Sequence, residues 1–446
     1  MAREKGKLVY MVYRAMTYSL SPFLYLHLHW RRLRGLEHPL RWPERLGRPS
    51  LPRPSGPLLW FHAVSLGEGM AAIPVIKQCV QKQPQFTILM TTTTTSAFNV
   101  IKDLLPTDVI YQFAPLDTPV AMDSFLGYWS PNAIMLMESE LWPNLILGAS
   151  RKGIILALLN ARISSKSFKL WSGPVALPLI SLMLSKFSLI APLSTQEAIR
   201  FQLLHAPPSV ISFPGDLKYA VGDDDVPGKE SICIKDLQRQ LANRPVWMAS
   251  SVHDGEEEVM LEVHKELLQI YPDAVMIIVP RHPERGKEFT QALQKEGFDV
   301  VLRSRDERIS PSSNIYVADT LGELRSLYQI MPIAVIGGSF LPGLAGHNIS
   351  EAAAAGCAVL TGYHVGHFSH MVFAMQQANA FSVRQVSEKR ELVEALTELL
   401  SDCSALEARR VAAKQAFLAL SCGIVGNVWN LVHLHVIIKI LSSITI

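Results

Sequence analysis

The chain is predicted to fold as two doubly wound α/β domains, and three observations lead there. Short apolar runs, each the length of a buried parallel strand, alternate with amphipathic stretches. The alternation pauses once, at VGDDDVPGKE (221–230), a polar and turn-rich sequence, and then resumes. The length of 446 residues exceeds one ordinary core and suits two.

The first set of strand candidates is 58–63, 86–91, 109–113, 133–137, 154–159 and 188–192, with helical stretches such as 70–81, 96–105 and 195–204 between them. The second set is 246–250, 274–280, 299–303, 314–318, 333–337 and 358–361, with helices at 255–270, 284–295, 322–329 and 350–356. Strand–helix–strand at this rhythm builds a parallel sheet with helices on both faces. The expected layout is a basic N-terminal segment 1–56, an α/β domain 57–220, a linker 221–231, a second α/β domain 232–420 and an apolar C-terminal helix 421–446. Two such halves face a central cleft, and ligands bind beyond the carboxyl ends of the strands.

Hydrophobic residues make up 49% of the chain and charged residues 18%, which excludes disorder as the dominant state. The net charge of +3 hides a basic start: Arg3, Lys5, Lys7, Arg14, Arg31, Arg32, Arg34, Arg41, Arg45, Arg48 and Arg53 face only Glu4, Glu37 and Glu44. Such a segment suits an anionic lipid surface or a mitochondrial presequence, with a solvated basic arm as the plain alternative. Residues 8–30 are apolar and aromatic but interrupted by Arg14, so they lie in an interface better than they span one. Residues 424–446, interrupted by Asn427, Asn430 and Lys439, read as a helix packed on the protein. The five scattered cysteines contain no CxxC, which argues against a disulfide framework or zinc site and fits a reducing compartment.

Six segments could carry chemistry. In WFHAVSLGEG (60–69) a strand runs into a helix whose first turn holds Glu68; there it could act as a base, although on this segment alone stabilising the helix start is the better explanation, and the helix dipole would lower its pKa. In ESELWPN (138–144), Glu138 and Glu140 follow an apolar strand and share a face if that strand continues; they need donors, or one must hold a proton. GDLKY (215–219) offers Lys218 to a phosphate across the cleft. SSVHDGEEE (250–258) places His253 before a helix whose first-turn acids would disfavour an anion unless they turn away. VPRHPER (279–285) puts Pro280, Arg281 and His282 at a strand's carboxyl end, where the Arg fork matches phosphate. GGSFLPGLAGHNISEAAAAG (337–356) joins glycines, Ser339, Asn348 and Glu351, a backbone open to a nucleotide and an acid suited to a ribose diol. The run Thr91–Thr95 reads first as strand and helix cap, and second as a hydroxyl wall for a sugar. No GxGxxG or GxxxxGK[ST] occurs, so nicotinamide and P-loop chemistry lack support.

HAVSLGE, ESELWPN, VPRHPER, GELRSLY, GGSF and GHNISEAAAAG, in this order over roughly residues 8–420, resemble the lipid A-specific 3-deoxy-D-manno-octulosonic acid (Kdo) transferases. The resemblance implies a GT-B fold of two Rossmann-like domains and transfer of Kdo from CMP-β-Kdo to a lipid A precursor. It implies Glu68 as general base and CMP contacts at Pro280 and Arg281, at Leu321, Gly322 and Glu323, and at Asn348, Ile349, Ser350 and Glu351. It places Glu138, Lys218, His253 and Ser339 in family motifs as possible donor or acceptor contacts. The expected partners are CMP-Kdo, a lipid A-type glycolipid and a membrane surface, with no nucleic acid. No cofactor and no metal are expected, since the sequence offers no clear DxD-type metal site. The expected location is at a membrane, mitochondrial in a eukaryote or the cytoplasmic face of the inner membrane in a bacterium. A broken N-terminal apolar stretch, Ala352 and Ala353 where the family commonly has a Pro, and an unfamiliar tail after Ser421 depart from the family pattern. A non-hydrolysing sugar-nucleotide epimerase and a non-catalytic sugar-nucleotide-binding membrane protein are the alternatives.

Overall fold

The computed structural model describes residues 2–220, 230–241, 244–305, 307–320, 322–366 and 368–444. The chain divides into two compact units, Met1–Ala220 with Gly423–Ile446, and Val221–Cys422.

The first unit contains strands β1 (Leu58–His62), β2 (Thr87–Thr92), β3 (Ile110–Phe113), β4 (Ala133–Met137), β5 (Ile155–Ala161) and β6 (Leu189–Pro192). They pair in the order β3-β2-β1-β4-β5-β6, every pairing parallel. Parallel strands covered by helices on both faces have no polar side, and β1 and β4 are buried at every position. The strand order reverses between β1 and β4, the switch point at which such sheets hold ligands.

The basic N-terminus is not a loose arm. The helix Ala2–Ser19 packs on the helix Ala176–Leu184, and Gly6 lies so close that a Cβ there would sit 2.4 Å from the Pro178 carbonyl oxygen. Tyr10 enters the same core cluster as Leu179 and Leu182. The Tyr13 hydroxyl donates to Asp117 at 3.0 Å, Arg14 pairs with Asp123 at 2.7 Å, and the Asn144 amide donates to the Thr17 hydroxyl at 3.1 Å. Removing this helix as a presequence would uncover that core. Its outer surface and that of the next helix, Ser21–Leu33, expose Leu8, Met11, Val12, Met16, Phe23 and Leu26.

The C-terminal segment also belongs to this unit. The helix Ile424–Val432 packs against the helix Leu66–Lys82 and β6, a π-helical turn at His433–Ile437 meets β5, and the helix Ile438–Ile444 continues from that turn. Ile424, Val428, Trp429, Val432, Val436 and Ile437 are buried there. The helical run Cys403–Ser443 is long and apolar enough to cross a membrane; those six side chains are covered by protein, while Leu418, Leu434, Ile438 and Leu441 are exposed on it.

The second unit contains β7 (Val246–Val252), β8 (Val275–Pro280), β9 (Val300–Leu302), β10 (Ile315–Val317), β11 (Ile333–Ile336), β12 (Ala358–Thr361) and β13 (Val383–Gln385), ordered β13-β12-β11-β7-β8-β10-β9 and again parallel throughout. Its reversal lies between β7 and β11. Two sequence expectations shift. Residues 221–229 of the expected linker lie outside the described residues, and the helix Glu230–Gln240 begins inside its remainder. Strand β13 was not anticipated, because three residues with one buried side chain carry no periodic signal.

Candidate functional site

In the first unit the chemistry gathers at the β1/β4 switch point. Glu68 lies in the first turn of the helix Leu66–Lys82, three residues after its N-cap Ser65. Its carboxylate accepts from the Val64 amide at 2.7 Å and the Ser65 hydroxyl at 3.0 Å. This is a capping arrangement, so the helix-start role is real. It does not leave the group a weak base. Burial, and then the charge of Glu138, raise its pKa above the ordinary glutamate range, outweighing the lowering by Val64 and Ser65. The expected depression by the helix start is thereby corrected.

Glu138 does not continue its strand. β4 ends at Met137, and Glu138 turns with φ +50°, a left-handed conformation unfavourable to a non-glycine residue. The turn carries its carboxylate to Lys218 Nζ at 2.6 Å and Arg162 Nε at 3.5 Å. Lys218, expected to reach for a phosphate, pairs with this acid instead. Its turn is fixed from behind: the Asn160 side chain donates to Asp216 at 3.1 Å and accepts from the Leu217 amide at 2.9 Å, and Asp216 accepts from the Lys218 amide at 2.9 Å. Asn160 and Asp216 escaped the sequence reading, since single polar residues at strand ends are common and only the fold pairs them.

Glu140 is the carboxylate that holds the proton. Burial and the charge of Glu68 push its pKa up to about 8, with Glu138 adding to the rise and a hydrogen bond from Trp142 opposing it. Three acids thus meet at one switch point: Glu138 paired with Lys218 and Arg162, Glu140 with its pKa pushed up to about 8, and Glu68 raised by burial and by the charge of Glu138. The threonine run is structural. Thr91 and Thr92 are buried in β2, Thr93 donates to the Val64 carbonyl at 2.9 Å, and Thr94 caps the helix Thr95–Ile101.

In the second unit the predicted donor residues lie beyond the carboxyl ends of four adjacent strands, β11, β7, β8 and β10. Pro280 ends β8 in register with Val252 of β7, and the Arg281 amide donates to the Val252 carbonyl at 2.8 Å, which sets Arg281 beside His253. Arg281 and His282 are exposed. His253 Nε2 lies 2.8 Å from His347 Nε2, with the rings stacked at 17°. Gly338 makes room for the pair: its φ is +69°, and a Cβ there would lie 2.6 Å from His347 Cδ2.

The glycine-rich turn is held by a residue the sequence reading treated only as an obstacle to anions. Glu256, fully buried, accepts from the amides of His253 (3.0 Å), Gly338 (2.6 Å), Ser339 (2.8 Å) and Phe340 (2.9 Å). The acid does not point away; it fills the ring of amides. Ser339 is a correction for the same reason. Its amide is taken by Glu256, and its hydroxyl donates to the Ile336 carbonyl at 2.7 Å and accepts from the Gly362 amide at 2.8 Å, so a fully buried Ser339 joins β11 to β12 rather than meeting a donor.

Leu321 lies outside the described residues. Gly322 has φ +92°, and Glu323 is gripped by Arg303 at 2.7 and 3.1 Å and by Thr320, which hold its pKa below the ordinary range despite partial burial. The carboxylate of Glu323 therefore fixes its loop. Asn348 accepts from the Ser350 amide and hydroxyl at 3.0 and 2.7 Å, Ile349 is buried, and Glu351 pairs with Arg325 at 3.3 Å. Arg325, in the GELRSLY motif, joins the second and third predicted nucleotide segments.

The family model described as 3-Deoxy-D-manno-octulosonic-acid transferase (kdotransferase) matches residues 40–221. The chain is 62% identical over 432 residues to a probable 3-deoxy-D-manno-octulosonic acid transferase, mitochondrial, of Arabidopsis thaliana, covering 97% of each chain. The chain belongs to the 3-deoxy-D-manno-octulosonic acid transferase family. It is a Kdo glycosyltransferase. A Haemophilus influenzae member is 32% identical over 354 residues, 79% of this chain and 81% of that one. Among solved structures, a glycosyltransferase from Rickettsia africae matches 87% of this chain and 99% of its own with a TM-score of 0.57 at 13% identity. A UDP-GlcNAc 2-epimerase from Neisseria meningitidis matches 84% of this chain and all of its own with a TM-score of 0.55 at 12% identity. At these identities the likeness is one of fold, and the fold is GT-B.

Proposed function

We propose that the chain transfers Kdo from CMP-β-Kdo to a lipid A precursor in one inverting displacement that releases CMP. The observation that carries this reading is Glu68: a half-buried carboxylate of raised proton affinity at the β1/β4 switch point of a Kdo transferase. In the proposed reaction Glu68 takes the proton of the attacking glycolipid hydroxyl as that oxygen bonds to the anomeric carbon. A pKa lifted towards the working pH suits this role, because the base is then both ionised and a competent proton acceptor. Glu138 lies between Lys218 and Arg162, and its charge adds to the raised proton affinity of Glu68. The donor's cytidylate is assigned to the second unit, with Arg281 on the phosphate and the backbone of Gly322–Glu323 and Asn348–Glu351 on the nucleoside. Kdo carries negative charge as well, and the Arg281 fork suits an anionic donor.

Membrane association is part of the proposal. The exposed apolar side chains of the first two helices, flanked by Lys5, Lys7, Arg32 and Arg34, have the character of an interfacial surface that meets a lipid acceptor in its bilayer. The Arabidopsis relative's name supports a mitochondrial location, with the first helix kept as part of the fold. Incubating the full chain with CMP-Kdo and a tetraacylated lipid A precursor, with the product read by mass, tests the reading. A glycolipid heavier by Kdo is expected; CMP-Kdo consumption without a glycosylated lipid overturns it.

A further inference from the structure

We propose that His253 and His347 form a proton-loading half of the donor's phosphate site: the pair takes up one proton when the cytidylate phosphate docks beside Arg281 and returns it to that phosphate as the anomeric bond breaks. This rests on the donor reading above and goes beyond it by assigning a second anion-binding element and its protonation.

Two imidazole nitrogens 2.8 Å apart share a single proton, because two N–H groups or two lone pairs at that distance repel. The free pair is thus held with a vacant proton site. The surroundings favour that neutral form: partial burial lowers the pKa of both rings, His347 to about 3, and the positive charge of Arg281 acts on both in the same direction. Glu256 opposes this at His253 but is engaged with four amides. His282 packs edge-on to His253 at 6.3 Å, and Asp254 is taken by Arg285, which also meets Glu257. Among the described residues no other acid acts on the pair, so a docked phosphate would supply the missing negative charge.

The position fits the role. His253 follows β7, Arg281 follows β8 and His347 follows β11, so the three groups surround the β7/β11 switch point of this sheet. Both rings are half-buried rather than sealed. They are pinned by the Glu256 clamp and by Gly338, so little reorganisation accompanies docking. When the anomeric C–O bond breaks, its electron pair moves to the phosphate oxygen. That oxygen accepts the proton from the imidazolium, CMP leaves with one negative charge fewer, and the pair returns to its neutral form. The acceptor's proton goes separately to Glu68.

The test uses the full chain and CMP. Calorimetry in buffers of different ionisation enthalpy above pH 7, where free CMP is already fully ionised, should show uptake of about one proton per CMP bound, with affinity falling up to about tenfold per pH unit. H253Q and H347Q, checked by thermal melting, should bind CMP roughly tenfold more weakly and without proton uptake. CMP binding by the unaltered chain with no uptake and no pH dependence overturns the inference and leaves the donor reading intact, as does uptake that persists in both variants. Failure of the unaltered chain to bind CMP at all removes the donor reading itself.

Discussion

Replacing Glu256 by Gln tests how the nucleotide-side loop is built. The side chain keeps its size and loses one acceptor oxygen. In the native structure one oxygen serves Ser339 and Phe340 and the other serves His253 and Gly338. Whichever way the amide of E256Q turns, its NH2 group faces two N–H donors, and two buried amides lose their acceptor. Each unsatisfied buried donor costs about 1–3 kcal/mol, so the loss is about 2–6 kcal/mol. That is a large part of an ordinary domain's stability of roughly 5–15 kcal/mol. Urea unfolding followed by Trp fluorescence, which includes the buried Trp247 of β7, should show an earlier transition. CMP affinity should fall with it, because the same clamp positions His253 and Gly338. E258Q, on the exposed side of the same helical turn, is the control and should move the midpoint by no more than about 0.5 kcal/mol equivalent. An E256Q protein with unchanged midpoint and unchanged CMP affinity would refute the reasoning.

Two further predictions follow from the first unit. Glu140 has a folded pKa of about 8 against an ordinary 4.5, so its contribution to stability is complete below pH 4.5 and is lost as pH rises to about 8. E140Q should therefore gain on the unaltered protein by a few kcal/mol between pH 5 and pH 8, read from urea midpoints; a difference that does not change with pH contradicts the assignment. Replacing Leu8, Met11, Val12 and Met16 by Ser should abolish co-sedimentation with anionic vesicles while leaving the melting temperature nearly unchanged, since all four are exposed. Vesicle binding that survives these changes removes the interfacial role of the first helix.

Much of the fold was legible because buried parallel strands are written as continuous apolar runs, and β4 at Ala133–Met137 matched its run residue for residue. The sites were legible as neighbourhoods rather than as contacts. ESELWPN announced buried acids, but an expected strand continuation at Glu138 gave way to a left-handed turn, which only the meeting with Lys218 and Arg162 explains. Three consecutive acids at 256–258 do not reveal which one turns inward; that depends on the amides of a loop some eighty residues away. The seating of the N-terminal helix was not legible for a related reason. Its charge is a surface property, while Gly6, Tyr10 and Thr17, which seat the helix, carry no charge signal.

The most direct measurement of the central claim is Kdo transfer by E68Q at saturating CMP-Kdo, with CMP affinity measured alongside. Transfer should fall roughly 10²–10⁴-fold while CMP binds as it does to the unaltered chain. Near-normal transfer by E68Q would contradict the assignment of Glu68 as the base.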